Sequence, residues 1–224
     1  MRTVALIDYG SGNLRSAEKA LWAAARLAGQ RRDIRATCEP DFVAQADAIL
    51  LPGVGAFRAC MAALTARPGL IEALNEAVIR RGVPFLGVCV GMQLLATRGL
   101  EFGETPGLGW IEGEVKRLAP HDRRAKVPHV GWNEVEVLRP HPLLAGHAPD
   151  SHAPDSHGLG THMYFTHSYA FHPAEAEAEA ARTDHGGPVC AMVVKNNIAG
   201  AQFHPEKSQA AGLALIARFL EWRP

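Results

Sequence analysis

The sequence is poor in cysteine, and its few cysteines are not spaced as a metal or redox motif. Cys38, Cys60, Cys89 and Cys190 are far apart and include no Cys-x-x-Cys pair, which argues against a zinc ribbon and against a thioredoxin-like motif. Nothing resembles a disulfide framework either, and this favours a reducing compartment. We therefore expect a soluble, cytoplasmic protein with free thiols.

Long hydrophobic runs and an excess of one charge are also missing. The first apolar run, residues 4–7, stops at Asp8 and is too short for a signal peptide or a membrane span. The 23 Lys and Arg residues balance the 23 Asp and Glu residues. Nucleic-acid binding is therefore not expected, because affinity for the phosphate backbone comes from excess positive charge.

Short apolar runs alternate with helical patterns in the first half of the chain, which predicts βαβ units and a parallel sheet. The predicted strands of this half are residues 3–7, 48–51 and 84–88. The predicted helices are residues 14–28, 56–64, 69–81 and 90–96. In the second half, strands are predicted at 110–118, 132–138, 163–171, 189–195 and 198–203, with a final helix at 209–221. We expect one α/β domain over residues 1–224, with a central mixed, mostly parallel sheet flanked by helices.

One segment is a tandem repeat: His147–Ser151 is followed by the same five residues at His152–Ser156, and then by His157. Its small, polar and proline-containing composition predicts a mobile surface loop inserted in the domain at 147–157. Histidines recur every five residues from His147 to His172. Five-residue spacing puts them on no common helix face and on alternating faces of a strand, so we predict no metal site.

Cys89 lies in the pattern Gly87-Val88-Cys89-Val90-Gly91, between an apolar run and a helical pattern. This is a nucleophile elbow with cysteine in place of serine. The tight turn presents the thiol at a helix N-terminus, where a thiolate is stabilised and free N–H groups can bind an oxyanion. The alternative is a buried structural cysteine.

A cysteine nucleophile needs a base, and the base needs a group that orients it. His204 and Glu206 follow the last predicted strand and are separated by Pro205, whose fixed φ stiffens the link. His204 would take the proton of Cys89 and later protonate the leaving amine, while Glu206 would hold the imidazole tautomer. The alternative for His204 alone is an ordinary surface or hydrogen-bonded histidine.

A third element is the glycine-rich segment Leu51–Ala56 at the end of a predicted strand. Its backbone N–H groups could complete an oxyanion hole, although a simple turn is the alternative. Gly53 and Gly55 also allow the peptide between them to rotate, so we predict that the oxyanion N–H points away at rest. The early Gly10-Ser11-Gly12 lacks the full dinucleotide pattern and a P-loop lysine, so nucleotide binding there is not expected.

Five segments together resemble one family, the class I (triad) glutamine amidotransferases, and within it the glutaminase subunits of imidazole glycerol phosphate synthase. These segments are Asp8–Asn13, Pro52–Phe57, Gly87–Gln93, Pro128–Asn133 and Gln202–Ser208. The resemblance runs from about residue 3 to residue 222. It implies the flavodoxin-like fold of that family and a Cys89–His204–Glu206 triad. It implies neither a cofactor nor a metal.

The resemblance also implies roles for further residues. Backbone amides of Val54, Gly55 and Val90 would form the oxyanion region; Val90 stands where leucine is usual in the family. Gln93 and Glu101 match glutamine-holding positions, although Glu101 could also be an exposed loop carboxylate. The backbone of Ser168 and Tyr169 would receive the α-carboxylate of glutamine. Asn13 and Lys207 would lie on the face that meets the partner.

The activity implied is hydrolysis of glutamine to glutamate and ammonia. The ammonia would pass to a (β/α)₈-barrel cyclase subunit that forms imidazole glycerol phosphate and the aminoimidazole carboxamide ribonucleotide in histidine biosynthesis. The alternatives are a triad amidotransferase serving anthranilate, aminodeoxychorismate or pyridoxal phosphate synthesis, an inactive binding module, and a γ-glutamyl peptidase.

Overall fold

The centre of the main sheet is built from two of the most apolar runs of the chain. The computed structural model describes residues 1–122, 124–145 and 162–224; the repeat at 147–157 lies outside these residues. The runs at residues 48–53 and 85–89 are buried along their whole length. Continuous hydrophobicity of this kind is typical of parallel strands that are covered on both faces.

Fourteen strands are assigned within the described residues. In chain order they are β1 (Arg2–Ile7), β2 (Arg32–Thr37), β3 (Ala48–Gly53), β4 (Phe85–Cys89), β5 (Arg98–Gly99), β6 (Thr105–Pro106), β7 (Gly113–Arg117), β8 (His129–Glu134), β9 (Glu136–Val137), β10 (His162–His167), β11 (Tyr169–Pro173), β12 (Glu179–Asp184), β13 (Pro188–Lys195) and β14 (Ile198–Ala201).

The helices of the described residues are α1 (Leu14–Leu27), α2 (Pro40–Gln45), α3 (Phe57–Thr65), α4 (Leu70–Asn75), α5 (Val90–Gln93) and α6 (Gln209–Glu221). Helix α4 continues as a π-helical turn over Glu76–Arg80. Short 3₁₀ turns cover Pro142–Leu144, Ala176–Ala178 and Pro205–Lys207. Helix α1 contacts α6, and α2 contacts α4. None of the helices in the described part of the chain is both long and apolar enough to cross a membrane.

The eight-stranded main sheet has the order β2-β1-β3-β4-β14-β13-β12-β9. The first five strands are parallel to one another, and β13, β12 and β9 continue the sheet in antiparallel fashion. The order 2-1-3-4 followed by one more parallel strand is that of flavodoxin-like folds. The predicted single-domain α/β fold with a mixed, mostly parallel sheet is therefore confirmed.

Two smaller sheets stand beside the main one. Strands β8 and β10 form an antiparallel ribbon, and β11-β7-β5-β6 form a four-stranded sheet. The single strand predicted at 163–171 is wrong, because the chain bends at Ser168 and passes from the ribbon to the other sheet. The strand predicted at 132–138 is likewise divided between β8 and β9. Each of these segments has a local pattern typical of a strand, and such a pattern does not reveal that a segment changes sheets.

Candidate active site

Cys89 is the last residue of β4 and the N-cap residue of α5, and its φ is +56°. A positive φ is costly for a residue with a Cβ, so the surrounding structure must hold this turn. It does so by close packing: a Cβ on Gly91 would overlap the carbonyl oxygen of Leu51. The elbow predicted from the glycine spacing is thus present, with the thiol at the carboxyl end of the parallel strands.

His204 and Glu206 follow β14, the neighbour of β4 in the sheet. The imidazole Nδ1 of His204 lies 2.8 Å from Oε1 of Glu206, and both side chains are buried. The His204 amide donates to the Tyr164 carbonyl at 2.9 Å, and its own carbonyl accepts from the Ser208 hydroxyl at 2.7 Å. Its Nε2 has no hydrogen-bond partner among the described residues, which leaves that nitrogen free for proton transfer.

The charge of His204 is set by three opposing influences. Burial disfavours the imidazolium, but Cys89 and then Glu206 favour it more strongly and raise the pKa of His204 to about 9. A protonated imidazole beside a cysteine is the arrangement that supports a thiolate nucleophile. The three residues predicted as a triad are therefore brought together with a suitable charge distribution.

A cavity of about 310 Å³ opens in front of Cys89 and His204. Its walls include all the predicted oxyanion and substrate-binding residues, together with some that were not predicted. The lining residues are Val54, Gly55, Cys89, Val90, Gln93, Glu101, Pro128, Thr166, His167, Ser168, Tyr169, His204 and Lys207. Glu206 lies behind His204, and the exposed Asn13 is not part of the wall.

Gln202 is a site residue that the sequence reasoning missed. It is fully buried, and its amide nitrogen lies 3.8 Å from the sulfur of Cys89, to which it donates. Its carbonyl oxygen accepts from Gln93 at 3.0 Å, and Gln93 also donates to the Tyr169 carbonyl at 2.9 Å. Two glutamines thus connect the nucleophile with the opposite wall. The sequence shows only that this glutamine stands two residues before the motif histidine, and its contact with Cys89 emerges only in the fold.

Glu101 is not the exposed loop carboxylate that was considered as an alternative. Its side chain lines the cavity and its Oε2 accepts a hydrogen bond from the Phe57 amide at 2.8 Å, at the start of α3. A carboxylate at a helix N-terminus is held by the unpaired amides and the helix dipole. This hydrogen bond fixes the position of the carboxylate at the cavity wall.

The segment after β3 is loosely held by contrast. Val54 is 43% exposed, and Gly55 has φ of +95° with open space where a Cβ would stand. The Val54 amide faces the Ser11 hydroxyl at 3.5 Å, and the same hydroxyl donates to the Val54 carbonyl at 2.9 Å. The Cys60 thiol donates to that carbonyl as well, at 3.3 Å. The Val54 N–H is thus occupied by Ser11.

The side chains around the cavity are of the kinds that acyl transfer uses. Among residues 1–122, 124–145 and 162–224, no group of three or more His, Cys, Asp or Glu side chains is placed to hold a metal ion. A buried thiol, a protonated imidazole and a held carboxylate support acyl transfer through a thioester. The second carboxylate, that of Glu101, suits the ammonium group of an amino acid. The backbone dipoles around Ser168 suit its carboxylate.

Comparison with known proteins agrees with this geometry. The family model for glutamine amidotransferase class-I matches residues 5–221. The imidazole glycerol phosphate synthase subunit HisH of Caulobacter vibrioides is 59% identical over 224 residues, covering 100% of both chains. HisH of Agrobacterium fabrum is 52% identical over 223 residues, covering 99% of both. A crystal structure of a glutamine amidotransferase aligns with a TM-score of 0.67 at 19% identity over 97% of both chains, which supports the fold.

Proposed function

The chain belongs to the class-I glutamine amidotransferase family, and we propose that it is the glutaminase subunit of an imidazole glycerol phosphate synthase. The observation that carries this proposal is the convergence of Cys89, His204 and Glu206 at one cavity. Full-length identity of 50–59% to HisH subunits supports the choice of synthase among the amidotransferases.

The reaction begins when the Cys89 thiolate attacks the side-chain amide carbon of glutamine. His204, protonated at neutral pH, donates a proton to the amide nitrogen, the carbon–nitrogen bond breaks, and ammonia leaves. A thioester remains on Cys89. Water then attacks the thioester as His204 removes its proton, the carbon–sulfur bond breaks, and glutamate is released. Glu206 keeps the imidazole oriented and stabilises its charge in both steps.

Binding of glutamine divides between two walls of the cavity. Glu101 would pair with the substrate ammonium, since its carboxylate is fixed at the start of α3. The backbone amides of Ser168 and Tyr169 would bind the α-carboxylate. Gln93 supports that wall through the Tyr169 carbonyl. Val90, Val54 and Gly55 would stabilise the oxyanion through backbone N–H groups, Val54 only after its N–H leaves Ser11.

Ammonia would pass to a (β/α)₈-barrel cyclase subunit, in a heterodimer that forms imidazole glycerol phosphate and the aminoimidazole carboxamide ribonucleotide. Exposed apolar side chains on β8, Val130 and Trp132, support a docking face near the cavity. Lys207 and Asn13 would border that face. We place the reaction in the cytoplasm, because Cys89 must stay reduced and the four cysteines are free.

The experiment compares the wild-type chain with Cys89→Ala, each mixed with a cyclase subunit. Wild type should support synthesis with glutamine or with ammonium salts, while Cys89→Ala should retain only the ammonia-dependent reaction, because the thiol serves only ammonia release. Cys38→Ala is the matched control and should behave as wild type. Synthase subunits for anthranilate or aminodeoxychorismate replace the cyclase in parallel mixtures. Glutamine-dependent product with one of these, and none with the cyclase, would overturn the assignment.

A further inference from the structure

His167 closes the bend in which β10 passes into β11. Its Nδ1 lies 2.9 Å from the carbonyl oxygen of Tyr169, two residues further on. A carbonyl only accepts hydrogen bonds, so Nδ1 carries the proton and donates. The imidazole, which is 7% exposed, therefore bridges Ser168. The two amides enclosed by this bridge are those of Ser168 and Tyr169, the proposed carboxylate-binding amides.

The ladder between β11 and β7 determines where the Tyr169 backbone points. The Leu118 amide donates to the Ser168 carbonyl at 2.8 Å, so that carbonyl points toward β7. Backbone groups alternate in direction along an antiparallel strand. Those of Tyr169, which lies opposite Arg117, therefore form no hydrogen bonds with β7. The N–H and C=O of Tyr169 consequently point away from β7. The Tyr169 carbonyl meets Gln93 and His167 on that side, where the cavity lies.

A second imidazole supports the first. Nδ1 of His129, on β8, lies 3.0 Å from Nε2 of His167. Because Nδ1 of His167 carries its proton, Nε2 is the acceptor and His129 donates to it. The remaining nitrogen of His129 accepts from the Asn133 amide at 3.1 Å, and Asn133 also donates to the Asp184 carbonyl at 2.7 Å. Every donor in this series points toward the next acceptor.

Burial keeps the two imidazoles neutral, which this series requires. It is the largest cause lowering the pKa of His129 to about 3 and that of His167 to about 4. The His129 ring also stacks between Phe165 and His185, with centroid distances of 4.6 and 4.0 Å. Among the described residues neither imidazole is hydrogen-bonded to Cys89, and the catalytic steps described above leave this pair without a task.

We propose that His129 and His167 are positioning residues, a pair of neutral imidazoles in series that fixes the Ser168–Tyr169 backbone for the α-carboxylate of glutamine. This inference rests on the proposed glutaminase function. It predicts that weakening the pair raises KM for glutamine more than it lowers kcat, because Cys89, His204 and Glu206 keep their own contacts. Ammonia-dependent synthesis by the complex should not change.

The test uses two polar variants of similar size in the complex with the cyclase. His167→Asn places an amide nitrogen close to the position of Nδ1 and can still donate to Tyr169. His167→Gln places its amide nearer to the position of Nε2 and loses that donor. We expect KM for glutamine to rise about tenfold in His167→Gln, the order expected for one lost hydrogen bond. In His167→Asn it should stay within about threefold of wild type. His172→Gln, an exposed histidine on the same β11, is the control and should not alter KM.

Alkylation of Cys89 by iodoacetamide, followed by mass spectrometry, separates positioning from a general structural role. This small reagent has no α-carboxylate, so its rate should be the same in both His167 variants and in wild type. Equal KM values for the Asn and Gln variants would overturn the proposal, as would a parallel loss of alkylation rate in His167→Gln. A wild-type complex that releases no ammonia from glutamine would instead overturn the proposed function, and this role with it.

A double-mutant cycle tests whether the two histidines act in series. His129→Asn removes the acceptor for Asn133 and should raise KM by about threefold, less than His167→Gln, because it acts one step further from Tyr169. Combined with His167→Gln it should add almost nothing, since the link it supports is already broken. Fully multiplicative effects on KM would mean that His129 acts independently of His167, contrary to the proposal.

Discussion

The turns after β3 and β4 lie next to each other, with Gly53 opposite Cys89, yet they are built in opposite ways. The turn at Cys89 is buried and packed so closely that Gly53, Gly87 and Gly91 have no room for a side chain. The turn at Val54 and Gly55 is exposed and open. One turn holds the nucleophile in a strained but fixed geometry. The other can rotate a peptide at low cost.

This difference separates two requirements of amide hydrolysis. The sulfur of Cys89 must stay beside His204 at all times. An oxyanion donor, by contrast, has to be in place only when glutamine is to be consumed. If Val54 is an oxyanion donor as proposed, the weak contact of its amide with Ser11 holds the open turn in a resting orientation. A partner that favours the rotated peptide would then shift a population already accessible to the free chain.

Adding one methyl group to each turn tests most strongly whether the two turns differ in how tightly they are packed. Gly91→Ala would force a Cβ into the Leu51 carbonyl, and we expect it to lower the free energy of unfolding by about 3 kcal/mol. Gly55→Ala meets nothing within 4 Å and should cost only about 1 kcal/mol, from its positive φ. Urea unfolding of both variants measures this. Equal losses would show that the two turns are equally constrained.

A second prediction concerns the weak contacts that hold the open turn. Ser11→Ala removes the partner of the Val54 N–H and one donor to its carbonyl. If these contacts favour the resting orientation, glutamine hydrolysis by the chain alone should rise about threefold to tenfold, the effect of one hydrogen bond. Ser16→Ala, in the first turn of α1, is the control. An unchanged or lower rate would mean that Ser11 does not hold the resting state.

A smaller effect on stability and on rate is expected when His204, which lies beside the fixed turn at Cys89, changes its charge with pH. His204 has a pKa of about 9 in the folded chain, above the ordinary value of about 6.5. Its contribution to stability is therefore complete below about pH 6.5 and is lost as pH rises through about 9. The rate of glutamine hydrolysis should fall over the same alkaline range, because the imidazolium that protonates the leaving amide nitrogen is lost.

The variant Glu206→Gln tests whether His204 is the group responsible for the alkaline fall in rate. It removes one of the two groups that raise the pKa of His204, so the alkaline fall in kcat/KM should move to lower pH by roughly one unit. Rate profiles of wild type and variant between pH 6 and pH 10 measure the shift. A profile of unchanged midpoint would assign the alkaline fall to another group.

The fixed half of the site was also the half that the sequence predicted well. Cys89 and His204 each belong to a contiguous segment whose glycine or proline spacing reflects local backbone geometry, so short-range patterns reveal them. The buried strands β3 and β4 were predicted for the same reason, since continuous apolar runs have few alternatives. β2, with exposed and charged residues at an edge, carried no such signal and was missed.

Residues that act through tertiary contacts were not predictable in this way. His129 and His167 are 38 positions apart and meet only because β8 and β10 pair in register. Gln202 reaches Cys89 across 113 positions. The bend at Ser168 separates β10, which pairs with β8, from β11, which pairs with β7, and neither pairing is visible in that segment alone. Side-chain networks of this kind require the assembled fold.

Glutamine hydrolysis under three conditions shows whether a fixed nucleophile stands beside a rotatable oxyanion donor. These are the chain alone, the chain with the cyclase subunit, and that complex with the nucleotide substrate of the cyclase, with Cys89→Ala as the zero. We predict a slow reaction for the chain alone and a rate about 10²–10³ higher in the substrate-bound complex, the effect of one oxyanion donor. Equal rates under all three conditions would mean that no oxyanion donor rotates into place in the complex.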